Sequence, residues 1–511
     1  MGMKVFAAID VGSYELSMKI FEISPRFKIR EIDHIRYRLD LGTETYTTGK
    51  LSQEKVGELC RILSEFASIM KAYKVSDYKA YGTSAIREMK NRVIVLEQIK
   101  QRTGIHIDVL SNSEQRFLDY KSVASKGEKF NGLISQGTAI IDIGGGSIQV
   151  SLFDKSSLVT TQNINLGILR IRERISRLKL KTSQYEDIIE EFLLSPIEVF
   201  EKLYLKDRKI DNIIVVDEYI SNALIKRERK LSESYLSDSF YLMFMDDLSK
   251  KSMAELEKDL QIPQESVILL YISAIMVRKF MKIMGVKQLW IPGVTLCDGI
   301  GYEYAEKNKI FSTTHDFEKD IIDCTYQISK RYMGSRKRGE TLERIALTVF
   351  DSMKRIHGME KREKLLLRLA ALLHDCGKYI TMTNVGNASY EIIMATEIIG
   401  ISHAEREIVA HVVRNNYQEF SYYNGDDISM DKGSYLTVAK LSAILRVATG
   451  LDRSHKEKFK NITATLRERE LILAVDTVED ITFEKGLFVN NARFFEETFN
   501  ITPVIKRKRG V

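Results

Sequence analysis

Two stretches of the chain share one order of apolar and polar positions. In AIIDIGGGSIQVSLF, residues 139–153, an apolar run leads to Asp142, three glycines follow, and alternating Ile148, Val150 and Leu152 resume a strand. The pattern predicts strand, Gly-rich turn, strand. AIDVGSYELSMKIF, residues 8–21, repeats the order, with Asp10 and Gly12 standing where Asp142 and Gly144 stand. Such a repeat predicts two related lobes facing one cleft. Around the first hairpin the periodicity predicts strands over 3–9, 15–23 and 28–37, a helix over 51–73 with Ser52 at its N-cap, and a strand over 77–82. A helix over 91–102, a strand over 105–110 and a helix over 113–125 follow. Beyond the second hairpin, strands are expected over 157–165, 212–217 and 288–292, and helices over 220–227 and 265–284. The Gly-rich turn into a helix at GVTLCDGIGYEY reads as the last element of that lobe. From Arg338 the spacing becomes helical: 340–357, 361–375, 389–399, 402–415 and 434–450. Residues 461–505 then alternate around a helix at 491–499.

These patterns divide the chain into a first lobe (1–126), a second lobe (127–305), a charged boundary (306–335), a helical domain (336–460) and a small α/β tail (461–511). A length of 511 residues suits several cores. A net charge of +7 suits anionic ligands and falls short of a nucleic-acid footprint. The terminal cluster Lys506, Arg507, Lys508 and Arg509 reads as a solvated tail. Four scattered cysteines, without a CxxC pair, argue for a reducing compartment and against structural zinc. An acid inside the first apolar run argues against a signal peptide, and Phe6 stands where a myristoylation signal at Met1-Gly2 wants Ser or Thr. With no run of 18 apolar residues, the expectation is a cytoplasmic protein without a membrane partner.

The hairpins suggest their own chemistry. Residues without Cβ let backbone N–H groups converge on an anion, and an aspartate at the mouth can hold a divalent cation directly or through water. A tight β-turn satisfies the same pattern, but its repetition favours a phosphate site.

AIDVGS, TSAIRE with Asn91, SNSEQR, DIGGGS and NLGILR, in this order and spacing, resemble the exopolyphosphatase and guanosine pentaphosphate phosphohydrolase (Ppx/GppA) family, a branch of the actin/Hsp70/sugar-kinase fold. LLRLAALLHDCGKYI and LSAILRVATGLDRSH resemble the HD-type helical domain that many members carry next. The resemblance implies an α/β, two-lobed, actin-like (ribonuclease H-like) phosphatase core, then an all-α HD-type domain with a small C-terminal α/β tail. It implies hydrolysis of the terminal phosphate of polyphosphate or guanosine pentaphosphate, with Asp10 and Asp142 holding Mg²⁺ through water. Ser13, Gly144, Gly145, Gly146 and Ser147 would cradle phosphate, Arg87 would clamp a phosphate oxygen, and Glu114, the first acid of the family's Ser-Gly-x-Glu-Glu motif, would activate the water. A homodimer built through the helical domain is the family-level expectation, with no specific nucleic-acid partner.

Several positions depart from the family pattern. The acid that ends its DIGGGSTE is Gln149, its Gly-Ser-Asn-Ser turn reads Gly12-Ser13-Tyr14-Glu15, and its third phosphate loop, a Gly-Gly-Thr, is Asp217-Glu218-Tyr219. Two carboxylates aimed at a phosphate about 4 Å away would each cost on the order of 4 kcal/mol at an effective dielectric of 20. Asp217 and Glu218 therefore either point away, weaken binding, or are screened by the cation. In the HD-like domain His374 and Asp375 remain, but Thr341, Ala388, Asn416 and Thr449 fill the other positions, and His403 and His411 lie out of phase. That favours a structural His-Asp pair over a metal site. Two readings stay open: a hydrolase of reduced or specialised activity, and a catalytically impaired sensor of a phosphorylated ligand. Actin-like ATP hydrolysis or sugar kinase activity shares the fold but lacks SNSEQR and TSAIRE.

Overall fold

The computed structural model describes residues 3–26, 28–178, 184–206, 208–227, 235–311, 315–422, 430–459 and 461–507. Met1, Gly2, Lys508 and Arg509 lie outside them. The chain forms two compact units, residues 1–317 and 318–511.

The first unit carries two sheets of the same plan. Strands β1 (Lys4–Val11), β2 (Glu15–Ser24), β3 (Lys28–Arg38), β4 (Asp77–Gly82) and β5 (Asp108–Val109) run in the order β3-β2-β1-β4-β5. Here β1 pairs antiparallel with β2 and parallel with β4. Strands β6 (Thr138–Ile143), β7 (Ile148–Asp154), β8 (Ser157–Ile164), β9 (Asn212–Val216), β10 (Tyr235–Ser237) and β11 (Gln288–Trp290) run in the order β10-β11-β9-β6-β7-β8. Again the first strand of the hairpin, β6, pairs antiparallel with β7 and parallel with β9. The repeated sequence pattern is thus a repeated topology.

Each sheet is covered on both faces, which is why its central strands are almost wholly apolar. Along β1, Ala7, Ile9 and Val11 join one core with Val56, Leu59, Leu63 and Phe66 of the helix Gln53–Ala72. Phe6 and Ala8, pointing the other way, join a second core. Its remaining members include Leu296, Cys297, Ile300 and Tyr304 from the helix Leu296–Lys307, with Tyr304 stacked on Phe6 at 4.0 Å. This corrects the assignment of GVTLCDGIGYEY to the second lobe: the chain crosses back after β11, and the helix packs beneath the first sheet. Gly299 is required there, because a Cβ would run into the carbonyl of Leu118.

The segment 306–335 is not an open linker. It carries the helix Phe317–Arg331, which buries Ile321, Cys324 and Ile328. Its many charges make it read as a boundary, yet apart from the buried Asp320 they lie on its more exposed positions. The second unit continues with the helices Arg336–Ser352, Lys361–Leu373, Val385–Ala395, His403–Asn415 and Lys432–Leu451. Strands β12 (Asn461–Arg467), β13 (Glu470–Asp476) and β14 (Thr502–Arg507) close it, with the helix Thr482–Phe499 crossing between the parallel β13 and β14. No helix among the described residues is long and apolar enough to cross a membrane.

Candidate functional site

Each hairpin carries its aspartate at the end of its first strand. Asp10 stands opposite Ser17 on β2, and Asp142 opposite Gln149 on β7. Both line a cavity of about 150 Å³ between the lobes, together with Gly12, Ser13, Glu15, Ser84, Gln115, Asp119, the loop 144–147, Asp217 and Glu218.

Side chains of the first lobe press directly on the triple-Gly loop. Ser13 Oγ hydrogen-bonds Tyr46 Oη at 2.8 Å and Ser84 Oγ at 3.0 Å. A Cβ on Gly146 would lie 2.5 Å from both Ser84 Oγ and Tyr46 Oη, and one on Gly145 would lie 3.0 Å from Ser13 Cβ. Only glycine allows so close an approach. The carbonyls of Gly144 and Gly145 accept from Ile168 and Leu169 N–H, so the loop also caps the helix Ile168–Leu178. Two arginines of this helix, Arg170 in NLGILR and Arg172 beyond it, tie the lobes together. Arg170 donates to the Gly146 carbonyl at 2.8 Å, pairs with Glu88 and lies over the Tyr46 ring. Arg172 pairs with Asp40 at 2.6 Å.

The expected water-activating residue is placed otherwise than its motif suggests. Glu114 sits in the first turn of the helix Asn112–Ala124, where its Oε2 accepts from Ser111 N–H at 3.0 Å while Ser111 Oγ accepts from Glu114 N–H at 3.2 Å. This capping box takes up the carboxylate, and Glu114 does not line the cavity. The next residue, Gln115, does line it, and in this chain an amide fills the family's second acidic position. Arg87 also stays off the cavity wall; it donates to the Leu110 carbonyl at 2.7 Å and to Gln115 Oε1 at 3.4 Å. Asn91 bridges both backbone groups of Leu51, a structural role.

Asp119 is the residue that motif reading missed. It lies four positions after Gln115, one turn along the same helical face, and is 5% exposed. That spacing was the available signal. Asp10 Oδ1 and Asp119 Oδ2 are buried without any hydrogen-bond partner. Burial first, then Glu218 and Asp142, pushes the Asp10 carboxyl up to about 8. Burial likewise lifts Asp142 to about 6, and it lifts Asp119 well above the carboxylate range, with Asp142 and Asp10 adding to the rise. The three carboxyls share too little solvent to ionise together.

The remaining departures find partners. Gln149 is buried and accepts from Arg116 Nε at 3.1 Å, away from the cavity. Asp217 turns its Oδ1 to Ile220 N–H, at 2.6 Å, and its Oδ2 to Ser273 Oγ, also at 2.6 Å, capping the helix Glu218–Arg227. Glu218 pairs with Arg36 at 2.8 Å. Asp217 and Glu218 thus each have partners of their own, although both residues still line the cavity. Burial, with Glu218 beside it, raises Glu15 to about 8.

In the second unit His374 and Asp375 do adjoin, Nε2 to Oδ2 at 3.7 Å. Thr449 donates to Asn416 Oδ1 at 3.0 Å. His403 lies exposed beside Arg406, and His411 stacks edge-on against Tyr390. Neither completes a ligand set with His374.

Comparison with known proteins places this geometry. The Ppx/GppA phosphatase family description matches residues 20–209, and that for Ppx/GppA phosphatase domain III matches residues 323–491. A guanosine-5'-triphosphate,3'-diphosphate pyrophosphatase of Vibrio vulnificus is 22% identical over 497 residues, covering 92% of each chain. Exopolyphosphatase 1 of Mycobacterium bovis is 25% identical over 143 residues, 28% of this chain and 40% of its own. Among solved structures, an exopolyphosphatase from Cytophaga hutchinsonii aligns with a TM-score of 0.52 at 17% identity, over 60% of this chain and all of its own. The Aquifex aeolicus Ppx/GppA family member aligns with a TM-score of 0.50 at 21% identity, over 60% and 99%. Two actin-like lobes meeting at paired Asp hairpins, followed by a helical unit with the domain III signature, leave one assignment: the chain belongs to the Ppx/GppA phosphatase family.

Proposed function

We propose that the chain hydrolyses the terminal phosphoanhydride of polyphosphate or of guanosine pentaphosphate in a divalent-cation-dependent reaction. One observation carries the reading: Asp10 and Asp119, each with a buried carboxylate oxygen that has no hydrogen-bond partner, line the same cavity as the glycine loop. Six acidic residues and no lysine or arginine line this cavity among the described residues. An anionic substrate needs that charge neutralised, so the donor set suits a hard cation. Among the described residues no three His, Cys, Asp or Glu side chains gather closely enough to share one ion directly. Asp10 and Asp142 would accordingly hold Mg²⁺ through water, with Asp119 beside them. A cation held there would supply charge neutralisation to the transferring phosphate and its leaving group.

What the protein supplies besides is position. The loop 144–147 and Ser13 receive the terminal phosphate. Gln115, steadied by Arg87, orients the attacking water through its amide, and Asp119, which the charge of a bound cation would ionise, takes the proton. Phosphoryl transfer of this kind asks for alignment and charge stabilisation more than for a strong base, and a glutamine can supply the alignment. Guanosine pentaphosphate is drawn from what the Vibrio relative is named for, and polyphosphate from the Mycobacterium one.

The decisive measurement is phosphate release from polyphosphate in Mg²⁺. Wild type should release phosphate, Gln115→Ala should lower kcat by roughly 10²-fold, and Asp119→Asn should abolish release. Glu114→Ala should keep kcat within a factor of a few. A second reading, a sensor that binds without hydrolysis, is favoured by the amide at position 115, which cannot accept a proton. Retained polyphosphate binding with no release above the Asp119→Asn background would decide for it.

A further inference from the structure

The second unit holds a polar cluster that this chemistry does not use. Arg338 lies in the first turn of the helix Arg336–Ser352, His374 and Asp375 just beyond Lys361–Leu373, and Asp452 just beyond Lys432–Leu451. Their exposures are 8%, 0%, 8% and 3%. Five of their polar atoms have no hydrogen-bond partner: Arg338 Nε and Nη1, His374 Nε2, Asp375 Oδ1 and Asp452 Oδ2. Buried polar atoms are ordinarily paired, and a concentration of orphans in one place points to something they bind.

They belong to one neighbourhood. Arg338 feels the charges of Asp452, Tyr417, Asp375 and Arg453, and His374 those of Asp375, Arg338 and Lys378. Half-buried Lys378 and exposed Tyr417, Arg453 and His455 surround the buried floor.

A divalent cation, as an HD-type domain implies, does not fit. The guanidinium of Arg338 is permanently charged and stands among the would-be ligands, repelling a second cation. No third ligand joins His374 and Asp375 among the described residues. The orphaned atoms instead define the opposite partner. His374 Nδ1 lies 2.9 Å from the Ala371 carbonyl, so it carries the ring proton and Nε2 is left an acceptor. Burial keeps this ring neutral, lowering its pKa to about 4. The site therefore offers donors from Arg338, with Lys378 and Arg453 nearby, and three acceptors in His374, Asp375 and Asp452.

We propose that this cluster binds a phosphate monoester bearing free hydroxyl groups, the class that contains nucleoside monophosphates and sugar phosphates. The phosphate takes the fork of Arg338, and ligand hydroxyls donate to His374 Nε2 and the two carboxylates. Inorganic phosphate satisfies only the first half.

The test is calorimetric titration of the full chain with guanosine monophosphate, ribose 5-phosphate and inorganic phosphate, in excess chelator so that the cation-dependent cleft stays silent. Wild type should bind both esters, and at least tenfold more tightly than inorganic phosphate. Arg338→Met should weaken ester binding at least tenfold, with Arg338→Lys intermediate. Should Arg338→Met fail to fold, the surface variant Lys378→Glu/Arg453→Glu should weaken binding by a similar factor. Absence of ester binding by wild type, unchanged titration in folded Arg338→Met, inorganic phosphate binding as tightly as the esters, or a requirement for divalent metal would each overturn the proposal.

Discussion

A single step along one helix separates a cap from the cavity wall. Glu114 and Gln115 are neighbours, yet one closes the turn with Ser111 and the other faces the cleft. Glu114→Ala should therefore cost about 1 kcal/mol of stability, the usual penalty for a lost cap, while sparing turnover. Thermal unfolding measured beside phosphate release separates the two effects. Asp217 makes a second residue-level prediction. Burial raises its pKa from 3.8 to about 7, so the folded chain holds its proton more tightly than the unfolded chain. Its stabilisation is complete below the unfolded value and disappears as pH rises through about 7, a change of at most about 4 kcal/mol. Asp217→Asn keeps an acceptor for Ile220 N–H and should flatten the dependence of Tm on pH between 5 and 8. A variant with the wild-type slope would refute this.

At the scale of elements, the hairpins were legible because two constraints coincide in them. A buried strand needs alternating apolar residues and the turn needs glycine, so both aspartates could be placed from sequence. Side-chain direction was not legible. Gln149 reads as a lost catalytic acid, but the pleat buries it against Arg116. Asp217 reads as a bare carboxylate beside the phosphate, but both its oxygens accept hydrogen bonds, from Ile220 N–H and from Ser273 Oγ. The helix Thr482–Phe499 is longer than the 491–499 read from its pattern, because Gly486 and two asparagines weaken its propensity and only packing of Phe488, Phe494 and Phe495 restores it. The helix Leu296–Lys307 was assigned to the wrong lobe because a sequence pattern shows an apolar face without its partner. The loop itself yields a prediction. Gly146→Ala should drive the lobes apart, since Tyr46 Oη and Ser84 Oγ stand 2.5 Å from the new Cβ. Polyphosphate turnover should fall at least tenfold while far-ultraviolet circular dichroism is unchanged; turnover within twofold of wild type would mean the contact is dispensable.

For the whole molecule, two units with separate cores predict two unfolding transitions in calorimetry. Ligands should then address them separately. Polyphosphate with Mg²⁺ should raise the transition of residues 1–317, and a nucleoside monophosphate in chelator that of residues 318–511, each by about 2.7 kcal/mol at a hundredfold excess over Kd. A single transition moved equally by both ligands would contradict this picture.

The small volume of the cleft bears on how a polymer is used. A cavity of about 150 Å³, beside close contacts of Ser13, Tyr46 and Ser84 with Gly145 and Gly146, suits the end of a phosphate chain better than its middle. If the site takes termini, cyclic trimetaphosphate, which has none, should be inert. At equal total phosphorus the initial rate should track the number of chains in solution rather than their summed length.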